Sequence, residues 1–241
     1  MSAPPVSTPP TSAPSSGAPS LHVRFGDLRR GRRLALAAGA LRLPLGASVA
    51  LAGANGAGKS TLLMAMAGVL AWRGGRATVE DAHGPLRGIG YVPQRPAFPA
   101  WLPLRDVLAL HDAPADALDV LSPPPERAAL LARRAGELSV GQTQALATAI
   151  ALHRRDPLVL LDEPFASVDL GRRLALQALV ADRRRRQPEA VLVLSSHVAA
   201  DLDALCDWAV VLRDGRCAFS GPRSALGAPE SFVPRIAALA G

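Results

Sequence analysis

A mixed α/β fold with a largely parallel sheet and flanking helices is predicted by three features of this 241-residue chain. Two continuous apolar runs, 158–163 (LVLLDE) and 191–197 (VLVLSSH), are bounded by helical patterns, as strands covered on both faces are. A glycine-rich stretch at 53–61, GANGAGKST, joins a strand-like segment to a helix-like one. Ahead of it, alternation around LHVRF and ALRLPLGASVALAGA reads as short strands of an N-terminal β part.

The elements follow in order. Residues 1–20 are uncharged and rich in Pro, Ser and Ala, the composition of a disordered tail, and lack the basic start and apolar middle of a signal peptide. After the glycine stretch, TLLMAMAGVLAW continues as a helix that Gly74 and Gly75 stop, and RATVED opens another strand. GIGYVPQ, at 88–94, is a short strand closed by Pro93. Short helices are expected in LRDVLALH and PPPERAALLARRAGE, with Ser122 and the prolines 123–125 as a start signal. Another helix should follow Ser139 through QALATAIALH. Asp214-Gly215 between apolar strands in WAVVLRDGRCAF is a hairpin signal. A catalytic core at about 21–94 and 153–241, interrupted by a helical part at about 95–152, is the expected organisation.

Composition narrows the function classes. Of 27 Lys plus Arg, only Lys59 is lysine, and Asn55 is the only asparagine. Such a bias suits a GC-rich genome, and a residue surviving it once, inside one nine-residue stretch, points to chemistry. The net charge of +7 permits nucleic acid or an anionic membrane surface, but dispersed arginine on a solvated surface explains it as well. The run 183–186 (RRRR), before Gln187-Pro188, reads as a solvated helix C-terminus favourable to the helix dipole. Cys206 and Cys217 form no ligand cluster and are expected as reduced, half-buried thiols. No apolar run reaches the roughly 18–20 residues that cross a bilayer.

Residues 53–60 match GxxxxGK[ST] between strand and helix, the context of a phosphate-binding loop, and so predict a P-loop NTPase core. Its glycines let backbone amides turn inward as an anion nest, and the helix N-terminus adds its positive dipole end. Candidate phosphate contacts are Gly53, Asn55, Gly56, Ala57, Gly58, Lys59, Ser60 and Thr61. Lys59 supplies a compact point charge that arginine replaces poorly, and the Ser60 hydroxyl suits Mg²⁺. Asn55 satisfies a turn or reaches phosphates or a second protomer. Asp162 and Glu163 fall at the C-terminal tip of an apolar strand, where α/β proteins bind ligands. Asp162 would hold Mg²⁺, and Glu163 would orient or deprotonate the attacking water.

Between these lies LSVGQ, at 138–142, where Ser139 and Gln142 have capping-box spacing. It resembles the LSGGQ signature of ATP-binding-cassette (ABC) ATPases. In order, the chain also carries Gln94 in YVPQ, Ser167-Val168-Asp169 after the acids, and His197 ending VLVLSSH. The resemblance covers essentially residues 21–225. It implies a nucleotide-binding domain that closes head-to-tail on a second copy or paralogue, with ATP between Lys59-type loops and the partner's Ser139, Gly141 and Gln142. Gln94 would sense the γ-phosphate or Mg²⁺, His197 would contact the γ-phosphate, and Asp169 would cross the dimer interface. Val140 stands where the signature has its first glycine, which is tolerable if that position needs no positive φ. Ala145 and Ile150 replace arginines common after the signature. The family's adenine-stacking aromatic falls near Arg30 here, with Phe25 as an alternative.

The resemblance further implies the ATPase subunit of a transporter with a separate membrane permease, cytoplasmic and peripheral on the cytoplasmic face of the membrane. No nucleic acid is expected. The competing class, a soluble ABC ATPase in translation or DNA maintenance, usually shows two cassettes, a coiled-coil insertion or zinc-ligand cysteines, and none is visible in the sequence. Substrate and transport direction are not legible.

Overall fold

The structure, a computed structural model, describes residues 19–30, 33–69, 77–196, 199–227 and 229–240. The expected tail up to residue 18, the Gly74-Gly75 stop and His197 lie outside the described residues. In chain order, β1 (Ser20–Phe25), β2 (Leu28–Arg30), β3 (Arg33–Leu36), β4 (Gly39–Pro44) and β5 (Ser48–Gly53) lead into α1 (Lys59–Met66). β6 (Ala77–Asp81), β7 (Gly84–Pro85) and β8 (Ile89–Val92) follow, then α2 (Leu104–Leu110), α3 (Arg127–Ala132) and α4 (Val140–His153). The chain continues with β9 (Leu158–Asp162), α5 (Leu170–Arg186), β10 (Val191–Ser195), α6 (Ala199–Leu205), β11 (Trp208–Arg213), β12 (Arg216–Pro222) and α7 (Pro229–Ala240).

The central sheet runs β12-β11-β5-β10-β9-β8 and is parallel except for the β11–β12 hairpin. An antiparallel sheet, β4-β1-β6-β7, holds the N-terminal strands, and β2 with β3 forms a separate ribbon. Period-two alternation explains why β9 is apolar on every residue from Leu158 to Leu161. Leu158 and Leu160 of β9 enter one core with β1, β4 and α1, while Val159 and Leu161 enter another with α4 and α5. Asp214 (φ 49°) and Gly215 (φ 73°) make the predicted hairpin turn between β11 and β12.

Local sequence explains two helix boundaries directly. α4 starts at a reciprocal cap: Gln142 N–H donates to Ser139 Oγ at 3.2 Å, and Ser139 N–H donates to Gln142 Oε1 at 2.9 Å. α1 ends earlier than expected, at Met66. Gly68 takes φ 67°, its N–H donates to Ala65 O, and Val69 N–H donates to Met64 O, a Schellman closure that a left-handed residue permits. Ser122 does not cap a helix; its hydroxyl donates to the Glu126 carboxylate at 2.7 Å. Cys206 is buried and Cys217 exposed rather than both half-buried, and burial pushes the Cys206 thiol up.

The basic run departs most from expectation. Arg184, Arg185 and Arg186 are surface groups paired with Asp207 or Asp182, but Arg183 is fully buried. Leu176, Val180 and Arg183 are the buried residues of α5, spaced four and three apart on the stripe packed against α4. Helix periodicity therefore puts the first arginine of the run inside. Its guanidinium, pulled down to about 10 by burial, remains charged at neutral pH.

Candidate active site

Backbone conformation shapes the loop between β5 and α1. Gly53, Gly56 and Gly58 have φ of 149°, 82° and 104°, all in the region that disfavours a side chain. Space adds a second demand at two of them: a Cβ on Gly53 would lie 2.4 Å from Leu212 O, and one on Gly58 would lie 2.8 Å from Ala35 O. The β11–β12 turn braces this loop. Gly215 N–H donates to Ala57 O at 3.2 Å, and Ala37 N–H donates to Gly215 O at 2.8 Å.

A cleft of about 450 Å³ opens over the loop. It brings together Asn55, Gly56, Gly58, Lys59, Ser60 and Thr61, Gln94 just after β8, and Asp162 and Glu163 at the tip of β9, with Ala35 of β3 at its edge. Lys59 is 8% exposed, and its ammonium donates to Gly53 O at 2.8 Å and Ala54 O at 3.2 Å. Burial lowers its pKa, while the Glu163 and Asp162 carboxylates act in the opposite sense.

β10 holds the acids. Ser195 sits beside Asp162 in the parallel register. Its hydroxyl donates to Asp162 Oδ1 at 2.6 Å and accepts from Glu163 N–H at 2.9 Å. One group thus fixes a carboxylate and the backbone of Glu163, which has a φ of 53°. Ser195 was not among the residues singled out from sequence, although a serine ending an otherwise apolar strand is a visible signal. Ala35 and Gly215 were missed too, because only chain crossing brings them to the loop.

The remaining candidates stand apart. Ser139, Gly141, Gln142 and Asp169 do not line the cleft. Ser139 and Val140 are exposed at the start of α4. Val140 is helical without positive φ, so its backbone does not need glycine, whereas a Cβ on Gly141 would lie 2.2 Å from Ser167 O. Asp169 caps α5, accepting from Arg172 N–H at 3.0 Å and pairing with the Arg172 guanidinium. That backbone bond, with the Arg172 charge, holds its carboxyl below the usual range. Phe25 is buried in the core with its ring over Gly39, a packing position rather than an open platform for adenine. Arg30 ends β2, and its side chain lies outside the described residues. Gln94 also borders a second cavity, of about 670 Å³, shared with Leu138, Val140 and Ser167.

Strand, glycine loop and helix, with an acid pair at the tip of β9, which β10 separates from β5, define a P-loop nucleotide-binding domain. The profile of the ABC transporter family matches residues 36–166. Thiamine import ATP-binding protein ThiQ of Escherichia coli (strain UTI89 / UPEC) is 32% identical over 194 residues, covering 75% of this chain and 83% of the relative. The protein of the same name from Shigella flexneri serotype 5b (strain 8401) is 30% identical over 214 residues, covering 83% and 92%. A solved ATP-binding subunit of an ABC transporter superposes with TM-score 0.72 at 25% identity, covering 88% of this chain and 98% of that one. A nucleotide-free ATP-binding cassette, at 19% identity and TM-score 0.69, shares the fold, covering 90% and 95%. The chain belongs to the ABC transporter family, as an ATP-binding subunit with ATPase activity.

Proposed function

We propose that this subunit couples ATP binding, closure of a nucleotide-binding dimer and hydrolysis to transport through a separate membrane permease. The observation that carries this reading is the division of the candidate residues. The cleft gathers the phosphate loop, Gln94 and both acids, while Ser139, Gly141 and Asp169 lie outside it at the starts of α4 and α5. A site split in this way is completed when a second nucleotide-binding subunit, identical or paralogous, brings its own α4 to the open side of the cleft.

In this reading Lys59 turns from its loop carbonyls to the β- and γ-phosphates, and the 53–61 amides hold their oxygens. Ser60, Asp162 and Gln94 offer hard oxygen donors within one cleft, a set that fits Mg²⁺. The metal, when bound, neutralises charge on the β- and γ-phosphates. Glu163 accepts a proton from, or orients, the attacking water, with His197 at the γ-phosphate as the resemblance implies. Arg30 is the candidate adenine contact. ATP favours the closed dimer through γ-phosphate contacts, and hydrolysis removes them. Gln94 borders both the cleft and the second cavity, a position suited to relaying closure to the helical part and a docked permease.

The names of the relatives support import as the direction, with substrate choice left to the membrane partner. No described helix is long and apolar enough to cross a membrane; in this reading the subunit attaches peripherally to the cytoplasmic face through the permease. Nucleic acid has no part in this reading. The test is Glu163→Gln: with ATP and Mg²⁺ it should form a stable dimer on size exclusion with two trapped nucleotides and lose turnover by about 100-fold or more. Normal hydrolysis would remove Glu163 from its role, and a monomer with bound ATP would sink the composite site.

A further inference from the structure

Arg183 is charged, fully buried and not among the residues that line the cleft. Its guanidinium donates to Ala151 O at 3.3 Å, to Leu152 O at 3.1 Å, and to the carbonyls of Arg154 and Asp156. Two of these belong to the last turn of α4, whose carbonyls have no partner within the helix. A cation there also complements the helix dipole. Gln187 adds a bond from its side-chain amide to Arg154 O at 3.3 Å.

The other ends of the same two helices also meet. Ser139 caps the start of α4 and Asp169 the start of α5, and Gly141 of α4 lies against Ser167 O, just before α5. The 14 residues of α4 span about 20 Å between these fastenings. A pair held at one end can pivot, whereas a pair held at both ends moves as one body.

We propose that Arg183 is a positioning residue: it locks the C-terminal end of α4 to α5, so that Ser139 and Asp169 are presented to the second subunit at a fixed spacing. This rests on the composite site of the preceding section. Breaking the lock should leave the phosphate cleft intact, because the four carbonyls that Arg183 holds belong to none of its lining residues, and should weaken closure.

The experiment compares Arg183→Met and Arg183→Lys with wild-type Arg183, all in the Glu163→Gln background. Nucleotide affinity and stoichiometry are measured with a fluorescent ATP analogue, and the ATP-dependent dimer dissociation constant by analytical ultracentrifugation. Arg183→Met should bind nucleotide with full stoichiometry and an affinity within about threefold of the parent, while its dimer weakens about tenfold. Arg183→Lys, a point charge that cannot fork to several carbonyls, should fall between. A dimer of parental affinity in Arg183→Met overturns the proposal. So does a parallel loss of nucleotide stoichiometry in that variant, the mark of a merely structural role. If Arg183→Met does not fold, Arg183→Lys decides, and parental dimer affinity there overturns the proposal. Failure of the parent itself to dimerise overturns the composite site, and this proposal with it.

Discussion

Replacing Ser195 by alanine removes one hydroxyl and the two bonds that fix the acid pair. That hydroxyl stands 2.6 Å from Asp162 Oδ1 and 2.9 Å from Glu163 N. Asp162 and Glu163 are 2% and 7% exposed, so water does not readily take the vacated position. A hydrogen bond to an ionised group contributes roughly 1.5–3 kcal/mol and a neutral one about 1 kcal/mol. Ser195→Ala should therefore lower stability by about 2–4 kcal/mol, a drop in Tm of roughly 5–15 °C for a chain of this size. Urea unfolding followed by circular dichroism reads the stability. Steady-state kinetics should show kcat falling more than KM for ATP rises, since the turn carrying Glu163 loses its anchor. Ser195→Thr restores the hydroxyl at an overpacking cost of about 1–3 kcal/mol and should regain kcat before it regains stability. A Ser195→Ala variant that unfolds within about 0.5 kcal/mol of wild type and keeps its kcat would show that this hydroxyl does not hold the acid pair.

Gly141→Ala places a Cβ where Ser167 O now stands 2.2 Å away, so α4 and the segment before α5 must part. ATPase activity should fall about tenfold or more with nucleotide affinity retained; unchanged turnover would mean that this contact is not needed in the working dimer. Asp169→Asn keeps a capping side chain but removes the charge. Because the folded carboxyl of Asp169 is held below its ordinary value, its contribution is present above that value and is lost as pH falls through the folded one. The variant should therefore lose less stability than wild type on acidification below about pH 4; identical acid profiles would contradict the pairing with Arg172.

How much was legible depends on whether a feature is local. The phosphate loop, the buried strands, the Asp214-Gly215 turn and the cap at Ser139 are patterns within a few residues, because backbone φ, strand alternation and capping act over that range. The end of α1 is local as well, but Ala67 and Gly68 lie inside an apolar run that resembles continuing helix. Arg183 was misread because charge run and helix stripe compete for the same residues, and the spacing from Leu176 and Val180 decides between them.

By itself the sequence determined the fold class, the family and the chemistry on offer: a single lysine, an acid pair at the end of an apolar strand and a glycine loop, each demanded by local geometry or charge. Only the tertiary structure decided which groups meet. Ser195 reaches Asp162 through sheet register, Gly215 supports Ala57 through a hairpin tip, and Arg183 caps a helix 30 residues earlier through helix packing. These contacts join distant chain segments, and no periodicity within either segment specifies its partner.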